Sequence, residues 1–457
     1  MEDSKESGGK MNMSQLQAVN RIKYALPTNL NVIERRQNKV NFSDQNQYTS
    51  AGGSEVVIRL QASTDYVYGK NSYLVMDVEA TDDGTSTASI GFRQNTAINL
   101  FDRVLFEDRS GAELERNDNL NGYAAQVCPL HWSKEYVRTG VANAGQFDSA
   151  DNEYTGNVPN NNDYLKNGTV ANYDINVTNG SSSRTVIIPL RWILGVFNNE
   201  TLIPSMLLSG ALVRLRLASP ARALENLEAG IPAGVSYKII NPRIVCDSLS
   251  LSPVVQKNLM EQSQAGGGLD YTYETVYYQS ANPGTNTNFN LQINKAVSRC
   301  QKLYWSARNN IGDAVDADNV GTAQCKLIQL DYRLGDMFFP QRVIDVSGNP
   351  QNNGGELYEN TLQSIHRMKT NVDPPSIDKF QYLNSGSSVA TNNNGKNTHC
   401  QSFEMSSALE YSGLAINNSR TLEARLNFNN NNNRVIDAWI CYLKLAKCNQ
   451  LRAIIKE

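Results

Sequence analysis

Histidine is scarce in this chain: His131, His366 and His399 are the only three among 457 residues. No two of them stand at the spacing of a metal-binding motif. The sequence also lacks the GxSxG, Walker and dinucleotide-binding glycine motifs. We therefore expect no catalytic residue, no metal site and no cofactor, although two carboxylates that lie far apart in the sequence would not show up in such a search.

The chain also lacks paired cysteines, a large excess of charge of one sign and long apolar runs. The seven cysteines are odd in number, scattered and without a CxxC, which predicts reduced thiols in a protein made in the cytosol or nucleus. The net charge of −3 gives no case for a nucleic-acid site. No stretch has the apolar length of a membrane span, and the N-terminal MEDSKESGGKMNMSQ has no apolar core, so it is not a secretory signal.

What is present is alternation, most clearly in Cys325–Ile344 (CKLIQLDYRLGDMFFPQRVI). Its apolar residues up to Leu334 occupy every second position, which is the pattern of a strand with one buried face. Gly335 follows, and then the apolar step Phe338–Pro340. Because proline has no backbone N–H, Pro340 predicts a sheet edge or a break in pairing.

Similar strands recur along the chain and are separated by a few helices and two long polar loops. Helical spacing or capping predicts helices at Ser14–Leu26, Ala112–Arg138, Glu200–Leu208, Val254–Gln264 and Gly355–Met368. The loops span 139–182 and 370–399 and are rich in Asn and Gly or Ser, which is unusual inside a compact domain. Asp313, Asp316 and Asp318 lack the register of a calcium loop and are interpreted as a solvated turn.

The two halves of the chain repeat the same order of elements. Leu212 in the first half corresponds to Leu422 in the second, Val245 corresponds to Cys441, and Ala97–Glu107 corresponds to Cys325–Ile344. This order predicts an all-β protein of two tandem eight-stranded jelly rolls with short helices and long surface loops. The expected domains are an arm at 1–50, a first roll at 51–252, a linker at 253–268 and a second roll at 269–457. The arm is either solvated or ordered only against a neighbouring subunit or an acidic interior.

Four segments resemble the double jelly-roll major capsid proteins, most closely those of polinton-like viruses and virophages. Ile188–Ala218 resembles a strand, a proline-bounded short helix and a strand near the end of the family's first roll. Tyr237–Leu251 resembles the last strand of that roll. Gly267–Gln279 resembles the start of the second roll, and Leu330–Gln341 resembles a strand that ends in a Leu-Gly and an aromatic-Pro-Gln step.

The resemblance implies a structural protein of the virion shell with no enzymatic activity. Family members form homotrimers whose six rolls make a pseudo-hexameric capsomer, and capsomers tile an icosahedral shell around double-stranded DNA. The implied partners are other copies of the chain, neighbouring capsomers, and penton and minor capsid proteins. Assembly would take place in the cytoplasm or the nucleus, and the resemblance says nothing about an internal membrane.

In this interpretation Phe338, Phe339 and Pro340 are the candidates for the seam between rolls or subunits, and Phe339→Asp is expected to block trimer assembly. Two other functions stay open. One is a carbohydrate-binding or glycan-processing β-sandwich, in which Tyr271–Tyr278 would be a sugar platform instead of core or interface. The other is a minor capsid or spike component.

Overall fold

The computed structural model describes residues 32–50, 53–61, 63–81, 90–92, 96–133, 136, 184–226, 236–265, 269–309, 327–345, 355–366, 375, 382, 398–404, 412–417, 420–428, 434–448 and 453–456. Within these residues the chain forms two β-sandwiches joined by one helix. Each sandwich is built mainly from two large antiparallel sheets, so each is a jelly roll and the predicted all-β fold class is confirmed.

The first roll contains eleven of the described strands. They are β1 (Val32–Phe42), β2 (Gln47–Thr49), β3 (Glu55–Arg59), β4 (Tyr66–Thr81), β5 (Ile90–Phe92), β6 (Phe101–Glu107), β7 (Glu113–Asp118), β8 (Arg184–Pro189), β9 (Leu212–Leu217), β10 (Leu224–Asn226) and β11 (Ser236–Leu251). Its two large sheets have the orders β1-β11-β4-β8 and β3-β9-β6-β7, while β2 pairs with β11 and β5 with β10.

The second roll contains the remaining ten described strands. They are β12 (Leu269–Gly284), β13 (Asn288–Ile293), β14 (Val297–Asn309), β15 (Leu327–Leu334), β16 (Met337–Asp345), β17 (Thr398–Ser402), β18 (Leu414–Ile416), β19 (Leu422–Phe428), β20 (Arg434–Cys448) and β21 (Ala453–Lys456). Its large sheets have the orders β12-β20-β14-β17 and β13-β19-β15-β16.

The two rolls have the same topology. When the eight main strands of each roll are numbered along the chain, both rolls give the sheet orders 1-8-3-6 and 2-7-4-5. Leu212 and Leu422 each begin the seventh strand, and β6 and β15 are both the fourth. The repeat predicted from the sequence is therefore confirmed strand by strand.

Short helices connect the strands. They are α1 (Leu120–Gln126), α2 (Cys128–His131), α3 (Ser205–Leu208), α4 (Pro220–Ala223), α5 (Pro253–Ala265) and α6 (Gly355–Ser364), with 3-10 turns at Ala97–Leu100, Leu190–Trp192 and Gly195–Asn198. None of the described helices has the length and apolarity needed to cross a membrane. The helix predicted over Glu200–Leu208 is confined to Ser205–Leu208, because Pro204 disfavours helical geometry in the residue before it.

Each roll encloses its own apolar core, and each core includes a few residues of the other roll. Tyr271, Tyr273 and Ala446 of the second roll belong to the core of the first. Val127 and Leu130 of the first roll belong to the core of the second. The boundary between the rolls is therefore packed like an interior.

Two predictions about chain segments need correction. Ala112–Arg138 was predicted as helix throughout, yet Glu113–Asp118 is the edge strand β7 and helix begins only at Leu120. The first roll also begins before residue 51, because β1 pairs with β11 and lies inside the predicted arm. Residues 1–31 of that arm, Cys325, the acidic turn at 313–318 and the loop 139–182 lie outside the described residues.

Candidate assembly surfaces

The seam between the rolls joins the edge strand β7 to the outer face of the sheet that contains β12 and β20. The hydroxyl of Tyr273 donates to the carbonyl oxygen of Leu114 at 2.6 Å. The ammonium group of Lys444 donates to the same oxygen at 3.5 Å. The hydroxyl of Tyr271 donates to the carbonyl oxygen of Val196 at 2.8 Å. Tyr271 and Tyr273 are therefore buried residues of the seam between the rolls.

A buried carboxylate lies at the centre of this seam. The side chain of Glu115 accepts hydrogen bonds from the backbone N–H groups of Gly195 at 2.8 Å and Val196 at 3.0 Å, and from the hydroxyl of Thr275 at 3.3 Å. Burial raises the pKa of Glu115 to about 7, although these hydrogen bonds and the nearby Lys444 lower it. Glu115 therefore links two elements of the first roll to a strand of the second.

At Gly195 the backbones of the two rolls come very close together. A Cβ atom added at this position would lie 1.7 Å from the backbone carbonyl oxygen of Glu274 on β12. No side chain can be placed at that distance from a backbone atom. Only glycine therefore allows the 3-10 turn Gly195–Asn198 to lie directly on the second roll, where Asn199 also donates to the carbonyl oxygen of Thr272 at 2.6 Å.

Helices α1 and α2 extend the seam across the second roll. The side-chain oxygen of Gln126 accepts from the hydroxyls of Ser306 at 3.3 Å and Thr398 at 2.8 Å. Tyr123 packs edge-to-face on Trp439, with ring centroids 6.3 Å apart. The segment that follows β7 is thus fixed by hydrogen bonds and an aromatic contact to three strands of the other roll, β14, β17 and β20.

The predicted seam residues lie elsewhere, on β16, which is the edge strand of the second roll. Phe338 is 46% exposed, and its neighbours Met337 and Val343 are 39% and 50% exposed. Phe339 is half-buried and packs edge-to-face on Phe403, with centroids 5.3 Å apart. Pro340 follows it through a cis peptide bond. As predicted from Pro340, β16 is an edge strand.

β16 is the counterpart of β7, since each is the fifth main strand of its roll and the edge of the same sheet. In β7 the side chains of Leu114, Glu115 and Asn117 are buried, and Glu115 is hydrogen-bonded to Thr275 of the other roll. In β16 six of nine residues are exposed, and no other described segment covers them. Large exposed apolar side chains clustered on one edge mark an interaction surface.

The remaining polar groups give no sign of a catalytic centre within the described residues. The three histidines lie apart and each meets a different side chain: His131 meets Tyr304, His366 meets Glu404 and His399 meets Tyr382. Burial lowers the pKa of His399 to about 3. Six cysteines are buried and free, and burial raises their pKa. Among the described residues no group of three or more His, Cys, Asp or Glu could hold a metal ion.

The exposed edge strand β16 is predicted from the sequence, whereas the covered edge strand β7 is not. Glu115 and Gly195 carry the internal seam, and neither belongs to a recognisable motif. The signal that could have found β7 is the topology itself: once β15 and β16 are matched to the first half, a strand is required directly after β6. The polar sequence ELERND hides that strand, because only Leu114 among its three buried positions is apolar.

No protein-family model matches the chain, and no curated protein matches it in sequence. Solved structures do match it. A chain of the PBCV-1 virus capsid superposes with a TM-score of 0.51 at 12% identity, covering 93% of this chain and 98% of the other. A chain from the Sputnik virophage structure gives 0.56 at 10% identity, covering 95% and 90%. The Faustovirus major capsid protein gives 0.55 at 7% identity, covering 97% and 95%. The chain has the double jelly-roll fold that these viral proteins share.

Proposed function

We propose that the chain is a major capsid protein that forms homotrimers. Six rolls would then make one pseudo-hexameric capsomer, and capsomers would tile an icosahedral shell around a double-stranded DNA genome. The fold likeness to viral capsid chains over nearly the whole length supports the coarse role. The finer statement depends on one observation, the exposed apolar edge β16 opposite the buried edge β7.

The geometry of the ring follows from the internal seam. Within one chain the fifth strand of the first roll lies on the first and last strands of the second roll. If the same contact is repeated between chains, β16 of one copy lies on β1 and β11 of the next. Such a head-to-tail contact is heterologous and forms a closed ring when the rotation per copy closes. Three copies would give a ring of six rolls with alternating seams.

The expected partner surface on the first roll is available. β1 is the edge strand of its sheet, and Phe42 at its end is among the large exposed apolar side chains. The face beside it carries an ordered polar group, in which Arg35 and Asn71 both donate to Asp247, each with a contact of 2.9 Å. This mixture of an apolar anchor and satisfied polar groups is what subunit interfaces present.

The test is Phe338→Asp, followed by light scattering and negative-stain electron microscopy of the purified full chain. We expect the wild type to be a trimer with hexagonal outline and the variant to be a monomer, because a carboxylate would be buried without a partner in the seam. Val254→Asp is the matched control, since Val254 is 69% exposed on the linker helix α5 and away from β16.

Different results would overturn the capsid role and the assignment of β16 to the seam. A wild-type chain that stays monomeric at micromolar concentration and forms no capsomers overturns the capsid role. A trimer that survives Phe338→Asp overturns only the assignment of β16, with Phe338, Phe339 and Pro340, to the seam. If β16 is the seam but copy number per particle is low, the chain is a minor capsid or spike component. Penton and minor capsid partners would be identified by the contacts of capsomers in particles.

A further inference from the structure

A row of buried polar groups lies in the core of the second roll, between β17 and α6. Of the residues 367–397 that connect α6 to β17, the structure describes Pro375 and Tyr382. Tyr382 is fully buried in that core, and His399 of β17 and Thr361 of α6 are 2% and 1% exposed. The hydroxyl oxygen of Tyr382 lies 2.7 Å from Nδ1 of His399 and 3.0 Å from the hydroxyl oxygen of Thr361. Tyr382 is therefore held from two sides.

The available hydrogen atoms fix the direction of these hydrogen bonds. The hydroxyl of Thr361 donates to the carbonyl oxygen of Leu357 at 3.0 Å, so its oxygen accepts from Tyr382. A tyrosine hydroxyl has one hydrogen atom, so the oxygen of Tyr382 in turn accepts from Nδ1–H of His399. Only this order satisfies all three contacts. Neutral His399 therefore carries its hydrogen on Nδ1 and would take up a further proton at Nε2.

The surroundings of His399 are aromatic. Its imidazole packs against the indole of Trp305, with ring centroids 4.4 Å apart, and meets the ring of Tyr382 edge-to-face at 5.7 Å. Burial lowers the pKa of His399 from its usual 6.5 to about 3. His399 is therefore neutral in the folded chain well below the pH at which an exposed histidine is protonated.

No charged group offsets the burial of His399. The titratable side chains beside it are tyrosines: Tyr358 packs on Tyr382 with ring centroids 5.1 Å apart, and burial holds the pKa of Tyr382 above its usual range. Lys302 of β14 alternates with Trp305, so it points to the opposite face of the sheet, where it pairs with Glu404 at 3.4 Å. The acidic residues of α6, Glu356 and Glu359, are exposed.

We propose that acid releases Tyr382 from the core of the second roll, with His399 as the responding group, while the seam between the rolls stays closed. A proton on Nε2 places a charge among aromatic rings, so protonation favours an arrangement in which His399 reaches water and no longer holds Tyr382. The seam responds in the opposite direction, because Glu115 gains a proton in the folded chain as the pH falls. The release is independent of trimer formation, since the cluster is buried within one roll.

The sign and size of the effect follow from the titration of His399. Its pKa in the closed arrangement lies below its value in water, so the open arrangement binds a proton that the closed one lacks. The closed arrangement therefore has its full stability above pH 6.5 and loses stability as the pH falls towards 3. Between pH 7.5 and pH 5.0 the ratio of open to closed molecules should rise about thirtyfold.

The first experiment measures amide hydrogen exchange of the purified full chain at pH 7.5 and pH 5.0, corrected for the intrinsic exchange rates. Mass spectrometry of peptic peptides gives the opening equilibrium of each segment. We expect the opening of α6 and β17 to rise about thirtyfold at pH 5.0, and that of β7 and Gly195–Asn198 not to rise. No rise at α6 and β17 would overturn the proposal. An equal rise in all four segments would also overturn it, because acid would then unfold the whole chain.

The second experiment uses two variants that cannot take up the proton. His399→Asn places an amide nitrogen near the position of Nδ1 and can still donate to Tyr382, whereas His399→Phe keeps a ring against Trp305. In either variant the opening of α6 and β17 should change less than about twofold between the two pH values, because the titrating group is gone.

His366→Asn is the matched control. His366 adjoins the same connection and titrates in an exposed position, and asparagine tolerates its positive φ of 61°. This variant should keep the thirtyfold rise. A folded His399→Asn or His399→Phe protein that keeps the rise, or a His366→Asn protein that loses it, would overturn the assignment to His399.

Discussion

The edge strands β7 and β16 occupy the same place in two copies of one topology, yet they differ in what covers them. β7 lies against the second roll, and its buried Glu115 is hydrogen-bonded to Gly195, Val196 and Thr275. β16 is exposed and presents Met337, Phe338 and Val343. A seam inside one chain can use buried hydrogen bonds that need exact placement, whereas the open edge displays apolar side chains that bind without strict direction.

The largest expected effect of a substitution in the seam between the rolls is at Gly195. We expect Gly195→Ala to lower the free energy of unfolding by about 3 kcal/mol or more, because the added methyl group would overlap the backbone of Glu274 and force the rolls apart. Chemical denaturation of both proteins measures this change. Gly122→Ala in α1 is the control, since the three atoms nearest to its added carbon belong to the side chain of Asn119 and not to the backbone. Equal stability of the two variants would contradict the close seam.

A second prediction concerns the pH dependence of the internal seam. The pKa of Glu115 is raised from 4.5 to about 7 in the folded chain, so between these values the folded state holds a proton that the unfolded state has lost. Its contribution to stability is therefore full below pH 4.5 and is lost as the pH rises through 7, by about 3 kcal/mol.

Comparison with Glu115→Gln isolates this effect from other titrating groups. The variant lacks the titration, so the difference in unfolding free energy between wild type and variant should fall between pH 5 and pH 7.5. The amide of glutamine also directs a donor at one of the N–H groups of Gly195 and Val196, which lowers stability at every pH. A difference that does not change with pH would contradict the raised pKa.

A third prediction compares a half-buried residue of β16 with an exposed one. Phe339 packs on Phe403 and against the second core, so Phe339→Ala should cost about 1–3 kcal/mol of folding stability. Val343→Ala should cost no more than about 0.5 kcal/mol, because Val343 is exposed. Both are best measured by denaturation in the Phe338→Asp background, in which the proposed assembly is expected to be lost. Equal costs would mean that β16 has no buried anchor.

The smallest expected effect comes from single hydroxyl groups in the internal seam. Tyr273→Phe removes the hydrogen bond to Leu114 and should cost about 1 kcal/mol. Tyr277→Phe on the same strand is the control, because the hydroxyl of Tyr277 has no hydrogen bond to the described residues. A double-mutant cycle with Glu115→Gln would show whether the two contacts act together.

Much of the fold could be predicted from the sequence because each strand alternates against its own core. The alternation of Val213, Leu215 and Leu217 places β9, and that of Leu422, Ala424 and Leu426 places β19. The match between the halves then follows from the order of elements. Pro340 identified an edge strand because its missing N–H is a local property that needs no knowledge of neighbours.

The internal seam could not be predicted in the same way, because its residues contact segments that are distant in the sequence. Glu115 would be expected on a solvent face, and it is buried only because Val196 and Thr275 arrive from two other elements. Gly195 resembles any loop glycine until the second roll is placed beside it. Both residues depend on tertiary contacts that local patterns do not encode.

Helix α5 connects the two rolls within one chain, whereas the proposed β16 seam would join separate chains. It tethers β12 close to the first roll, so the β7 seam forms at an effective concentration on the order of millimolar, whatever the amount of protein. The proposed β16 seam would have no such tether and would form only at a sufficient protein concentration. Dilution should therefore separate copies of the chain while leaving the two rolls of each copy joined. New chains would fold into rigid two-roll blocks first, and the rising amount of protein would then set the moment at which blocks combine.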